Sequence, residues 1–525
     1  MRFRLISLLV LGTALASCAK QPAASPNGAE QILRIGNGAE PKDLDPTVQA
    51  SIAEFNIETA LFEGLVTMSS DGHTIQPGVA EKWEVSEDGL TYTFHLRANA
   101  RWSDGSPLTA DDFVYSFRRL FSPALAAGNA VMGYPIVGAE DLEAGKKATL
   151  GVAAPDPRTF VVTLRFRAPY MLDFFVAAPF VPVQRAAVER FGGDQLGSNW
   201  TKPGNLVSNG PFMLKAWRPN QDVTVVHNPY YWDEARTKLQ EIRFLPTEDT
   251  ESEERMFRTG QIDVTYALPE NKIDSYRGSF HADRELGTYY LSFNVTSGVM
   301  ADVRVRRALA LAIDRDRIIP LVMKDSASPA HTLTRPGTAG YAPVQSADYD
   351  PVLARRLLAE AGFPGGAGFP AITLCLSNHG GERLCEAIQE QWRKVLGLHV
   401  SLESQELKTL LDRLATKNYQ VAYTGYIYSY NAPEAMLMVP LSDSNWNYFN
   451  WKSPVFDAAY DRTSQARENK ARFAACDDME RTLSADVPIS PIDYPNRLFL
   501  VNPKVKGWRD NDVEIVDWRE LSIAP

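Results

Sequence analysis

Residues 288–319 read T-Y-Y-L-S-F-N-V-T-S-G-V-M-A-D-V-R-V-R-R-A-L-A-L-A-I-D-R-D-R-I-I, and they leave the chain few choices. Residues 289–295 mix aromatic, β-branched and polar side chains in the manner of a strand. A Ser297-Gly298 turn follows, and Asp302 then stands where a helix N-cap belongs. Beyond it Val305, Ala308, Leu309, Ala312 and Ile313 fall on one face at helical spacing, with Arg304, Arg306 and Arg307 largely off that face. A strand that feeds an amphipathic helix needs a sheet on which to lay that helix, which points to an α/β protein.

The chain beyond this stretch repeats the pattern. Asp350-Pro351 opens a helix lined by Ala354, Leu357, Leu358 and Ala361 and stopped by Gly362. Strands at 371–376, 398–402 and 419–424 alternate with helices at 382–396 and 405–416, as in a wound sheet. Before it the signals differ. Residues 54–65 read as a helix with Gly64 as its C-cap. Residues 66–182 carry short elements: a strand at 91–96, then a helix with Thr109 as N-cap, Asp112 as its N3 acid and Phe113, Phe117, Leu120 and Phe121 as its apolar stripe. Residues 183–287 are β-rich with long loops, and 495–508 return to strand character.

The ends and the composition narrow the setting. Arg2 and Arg4 precede an apolar run at 5–15, and Leu15-Ala16-Ser17-Cys18 follows in the form of a bacterial lipobox. A plain secretory signal is the competing reading of the same residues. Residues 19–30, rich in Ala, Pro, Ser and Gly, read as a flexible tether. The length, 525 residues, suits two to four domains. A net charge of -10 argues against a nucleic-acid partner, whose phosphates demand a basic surface. Cys375 and Cys385 are candidates for a local disulfide, with two reduced buried thiols as the alternative, and Cys476 reads as a buried helix residue.

Signatures of enzyme chemistry are missing. The sequence contains neither H-E-x-x-H nor G-x-S-x-G, and Gly366-Ala367-Gly368 lacks the third glycine of a dinucleotide loop. The Gly-Lys-Lys at 145–147 has no hydroxyl residue after its lysine. Seven histidines, among them His331 and His379, show no metal-ligand spacing. The expectation is a non-enzyme without metal or cofactor, an extracytoplasmic enzyme being the rival of another class.

Several short motifs are spaced along the chain: Glu40-Pro41 with Leu44-Asp45-Pro46, Phe62-Glu63-Gly64-Leu65, Trp102-Ser103-Asp104-Gly105 with Thr109-Ala110-Asp111-Asp112-Phe113, Asn209-Gly210-Pro211-Phe212, Asn228-Pro229-Tyr230-Tyr231-Trp232 and Phe293-Asn294 before Asp302 to Arg315. Together they resemble family 5 solute-binding proteins, the peptide and nickel receptors of ABC importers. The resemblance implies a periplasmic-binding-protein type II clamshell of α/β class, with two lobes and an extra small α+β domain. It divides the chain into a signal at 1–17, a lipidated Cys18 with its tether at 18–30, and a first lobe from 31–65, 186–287 and 489–525. The extra domain takes 66–185 and the second lobe 288–488. It implies a monomeric, membrane-tethered periplasmic receptor that captures peptides or peptide-like ligands between the lobes and hands them to an ABC permease. A receptor for a carbohydrate or other neutral solute is the alternative on the same fold.

The tyrosine-rich run Y-Q-V-A-Y-T-G-Y-I-Y-S-Y-N-A-P at 419–433 is the candidate cleft wall, with Tyr426, Tyr428 and Tyr430 at period two. Family members of the oligopeptide branch carry an Asp for the ligand's α-amino group where Ser429 stands here, beside Gly425, Tyr430 and Asn431. Tyr423 occupies the place of an Arg for the ligand carboxylate. Both charged anchors are therefore replaced, which disfavours a zwitterionic pose. Lys324 matches a family cation near the ligand C-terminus, and Asn209 belongs to a matching loop; an exposed helix-end lysine is the plain reading of Lys324. The branch's usual cysteine pair is lost, with Gly287 and Ile427 in its place.

Overall fold

The computed structural model describes residues 30–345, 348–378, 380–428 and 430–525. The lipobox with Cys18, the tether to residue 29, His379 and Ser429 lie outside the described residues. Among the described residues no helix is long and apolar enough to cross a membrane.

Three sheets organise the chain. The first has four strands in the order Ile32–Gly36, Glu241–Leu245, Asp222–His227, Phe212–Arg218; the first pair is parallel and the others antiparallel. Helix Ile52–Leu61 packs against it, opened by a capping box in which Ser51 and Glu54 satisfy each other's backbone N–H. That helix stops at Leu61, and Phe62 is already extended, so Gly64 is not its C-cap. Gly64 is needed for another reason: a Cβ there would sit 2.7 Å from the Phe175 carbonyl oxygen. Leu33, Ile35, Phe212 and Phe244 share their core with Trp518 and Leu521 from the far end of the chain.

The second sheet is antiparallel, in the order Ala80–Val85, Thr91–Leu96, Thr159–Thr163, Val152–Asp156. Helix Ala110–Leu120 covers it, and the Asp112 carboxylate accepts the Thr109 N–H at 2.8 Å as the sequence predicts. The interior is a cluster of rings: Phe94, Phe117, Phe160, Phe175 and Phe180 meet mostly edge to face or tilted, with centroids 5.2–6.5 Å apart.

The third sheet has seven strands, ordered His281–Arg284, Ile489–Phe499, Gly287–Phe293, Val421–Ile427, Ile372–Ser377, Val400–Gln405, with Ala327–Pro329 also on Ile489–Phe499. The strand Ile489–Phe499, expected in the first lobe's C-terminal segment, thus pairs inside this sheet, between His281–Arg284 and Gly287–Phe293. The constraining stretch lies at its centre. Asp302 caps helix Val303–Leu311 by accepting the Arg304 N–H at 2.8 Å, and Asp314 caps a second helix, Arg315–Val322.

Two arginines of this stretch do more than solvate a surface. Arg306 is buried, and its guanidinium donates to the carbonyls of Met300, Asp486 and Val487. Arg315 donates to the Pro491 carbonyl and the Ser490 hydroxyl, both at 2.6 Å. They tie the central helices to the approach and start of the strand Ile489–Phe499.

The expected Cys375–Cys385 bridge is not formed: both are free, buried thiols, as is Cys476 in helix Asn469–Asp486. The reason is strand alternation. Leu374 and Leu376 face the core that holds Cys385, on helix Glu382–Leu396, while Cys375 points to the other face and packs on Leu410, Leu414 and Tyr419.

Candidate ligand-binding cleft

A cleft of about 320 Å³ opens where the three units meet. One wall is the start of helix Ile52–Leu61, from Gln49 to Phe55. A second comes from the ring-filled unit, with Asn129, Met132 and residues 177–179. The third joins Leu286, Ile427 and Tyr428 of the seven-stranded sheet to Asp512, Val513 and Glu514 of the C-terminal segment.

The charged residues that line this cleft, Asp512 and Glu514, are both acidic, beside the neutral Gln49, Ser51 and Asn129. Glu514 lies 3.0 Å from Arg497 and Asp512 lies 3.6 Å from Arg284. Arg497 also serves Asp283, so carboxylates outnumber guanidinium partners around it. Behind them Glu285, next to Leu286, is pushed up to about 7, by burial first and then by the negative charge of Glu514. A cleft with this floor suits a ligand that brings hydrogen-bond donors or positive charge. Among the described residues no group of three His, Cys, Asp or Glu is placed to hold a metal ion.

The tyrosine-rich strand is spent largely on packing. Tyr423 is buried, stacks on Tyr289 with centroids 5.5 Å apart, and donates its hydroxyl to Asp493 at 2.7 Å. Burial pushes that aspartate up to about 7. Gly425 makes room for the same ring: a Cβ there would stand 2.7 Å from Tyr289. Tyr426, on the opposite face, packs on Trp446 at 5.0 Å. Tyr428 is buried, hydrogen-bonded to Thr338 through its hydroxyl at 2.8 Å, and is the described candidate that lines the cleft.

The remaining candidates scatter. Tyr430 lies past the end of the strand and sets its ring edge-on to Phe174 at 4.5 Å, bridging to the ring-filled unit. Asn431 accepts the Ala339 N–H at 2.7 Å. Lys324 is paired with Asp274. Asn209 is buried and exchanges two hydrogen bonds with the backbone of Glu63, a brace within the first unit. Residues 49–52, Phe55, 177–179 and 512–514 line the cleft without having stood out in the sequence, because short loops and a helix end carry no periodic signal. The acidic pair Asp512 and Glu514 in an otherwise strand-like tail was the available hint.

Comparison with known proteins agrees with this architecture. Residues 74–448 match the model of bacterial extracellular solute-binding proteins, family 5 middle. The periplasmic oligopeptide-binding protein OppA of Salmonella typhimurium is 37% identical over 518 residues, covering 96% of this chain and 94% of that protein. The probable deoxycholate-binding periplasmic protein YgiS of Escherichia coli is 32% identical over 522 residues, covering 96% and 95%. Among solved structures, the unliganded open form of the periplasmic murein tripeptide-binding protein MppA superposes with a TM-score of 0.83 at 34% identity, over 96% of this chain and 99% of that one. The fold is therefore the two-lobed type II clamshell with its extra domain, and the chain belongs to the bacterial extracellular solute-binding proteins of family 5.

Proposed function

We propose that this protein captures peptides or peptide-like ligands in the cleft between its units and delivers them to an ABC permease, making and breaking no bond. The observation that carries the reading is the acidic, three-walled cleft, on a chain similar nearly end to end to an oligopeptide-binding protein. On this reading the described parts of residues 31–65, 186–280 and 500–525 act as one lobe and the body of the seven-stranded sheet, 281–499, as the other, closing on the ligand by hinge motion. Cys18 carries lipid and tethers a periplasmic monomer to the membrane.

A receptor for an uncharged or non-peptide solute is the second reading, favoured by Ser429 and Tyr423 in place of the family's charged anchors and by the relative named for deoxycholate. Calorimetry with free-amino and N-acetylated peptides, on the wild type and on Ser429→Asp, separates the two. Under the peptide reading some free peptide binds the wild type, and a carboxylate at 429 changes its affinity about ten- to a hundredfold, the worth of one buried charge-assisted hydrogen bond. Peptides of every length and charge failing to bind, with a neutral solute recovered by native mass spectrometry of protein from its own cells, would overturn it.

A further inference from the structure

Beside the cleft lies a smaller cavity, of about 80 Å³, which shares Phe55 and Ala178 with it. Its walls are mostly apolar, with Phe62, Met68, Val181 and Trp518 among them, and its charged lining residues are Glu58, Glu63, Asp517 and Arg519.

Three of these four satisfy one another. Glu63 accepts the Tyr231 hydroxyl and, at 2.6 Å, the Trp232 indole N–H, and lies 3.7 Å from Arg519. Arg519 grips Asp517 with two hydrogen bonds of 2.7 Å. Glu58 is left over: it is 1% exposed, and neither of its carboxyl oxygens has a hydrogen-bond partner among the described residues. The charges that face it, Asp45, Glu54 and Asp43, are negative, and the guanidinium near them, Arg119, is committed to Asp45 at 2.6 Å. A buried polar group without a partner costs roughly what a lost hydrogen bond costs, and native structures seldom leave one without a reason.

We propose that this cavity receives a basic side chain of the bound ligand, lysine or arginine, with the methylene stem on the apolar walls and the cationic head on Glu58. The proposal rests on the peptide reading above. The shape of the site matches that chemistry: long basic residues carry an apolar stem under a charged tip, and a carboxylate with two free oxygens accepts an ammonium or a forked guanidinium. It also explains how the ligand-free protein tolerates Glu58. Burial, and then the neighbouring carboxylates, push its carboxyl well above the ordinary range, which favours the protonated form. A basic side chain placed on it acts in the opposite direction, so its binding is coupled to proton release.

The test uses tripeptides with lysine, acetyl-lysine or norleucine at each of the three positions, titrated against wild type and Glu58→Gln in buffers of different ionisation enthalpy. At one position lysine binds the wild type ten- to a hundredfold more tightly than norleucine, with proton release; Glu58→Gln erases both differences and moves the norleucine peptide less than about threefold. A lysine preference that survives Glu58→Gln, or its absence while peptides still bind, overturns the proposal and leaves the peptide reading standing. Thermal shift with n-butylammonium chloride, and n-butanol as the neutral control, covers the case in which no peptide binds. Stabilisation of the wild type alone by the ammonium keeps the cavity and sinks the peptide reading; stabilisation of neither protein overturns the cavity as well.

Discussion

Glu434 and Glu58 are both about 1% exposed, and the two halves of the molecule treat them in opposite ways. In the half built on the seven-stranded sheet, Arg472 of helix Asn469–Asp486 meets Glu434 of helix Pro433–Leu437 with two hydrogen bonds of 2.5 and 2.6 Å, and both are buried. In the half built on the first sheet, neither carboxyl oxygen of Glu58 has a hydrogen-bond partner among the described residues. Buried ion pairs hold a body in one arrangement, whereas an unpaired buried acid is a place kept for something else. The Glu434 site is thus complete without ligand, whereas the unpartnered acid stands on the side where helix Ile52–Leu61 meets the C-terminal segment.

That contrast can be broken by mutation. Arg472→Ala strands a buried carboxylate and should lower unfolding stability by about 3–5 kcal/mol in denaturant titration; a loss under 1 kcal/mol would show the pair to be ornamental. Asp493 sharpens the comparison as an intermediate case, an acid buried with the Tyr423 hydroxyl as its donor and pushed up to about 7. Its folded form binds a proton that the unfolded form releases near pH 4, so its contribution is full below about pH 4 and is lost as pH rises toward 7. Stability should therefore fall by up to about 1.4 kcal/mol per pH unit across that window, and Asp493→Asn should flatten the slope. Unfolding curves of both proteins from pH 4 to 8 give the answer, and parallel slopes would refute it.

Smaller effects follow. Gly425→Ala drives a methyl into the Tyr289 ring and should cost about 1–3 kcal/mol of overpacking, read as a lowered denaturation midpoint. Glu58→Gln should change the ligand-free protein least, by under about 1 kcal/mol, since it breaks no hydrogen bond formed among the described residues. If Glu58→Gln destabilised the protein as much as Arg472→Ala, Glu58 would be a structural acid like Glu434 and the contrast would vanish.

The parts of this molecule that are local were legible in its residues. Asp302 as a cap, the Thr109–Asp112 start and the strand-helix alternation after residue 350 follow from spacing alone. The misreadings are tertiary. Nothing near Arg306 says that its guanidinium ends on carbonyls some 180 residues away, and nothing near Cys375 says which face of its strand Cys385 will cover. The tyrosines of 419–433 drew attention because cleft walls and cores both favour rings, and composition does not separate the two. Glu58 drew none, since E-F-N-I-E-T reads as an ordinary helix turn and a missing partner is visible only when every neighbour is in place.

Gln31 and Ile523 hold each other by two hydrogen bonds, side-chain amide to backbone in both directions. The first strand of the chain therefore shares a core with its last tryptophan, Trp518, which is 3% exposed. Two segments 492 residues apart thus close one interior together, a contact of long sequence separation. Trimming the last ten residues would take Trp518 and Leu521 out of the core that Leu33 and Ile35 share with them, although Ile32–Gly36 would keep its pairing with Glu241–Leu245.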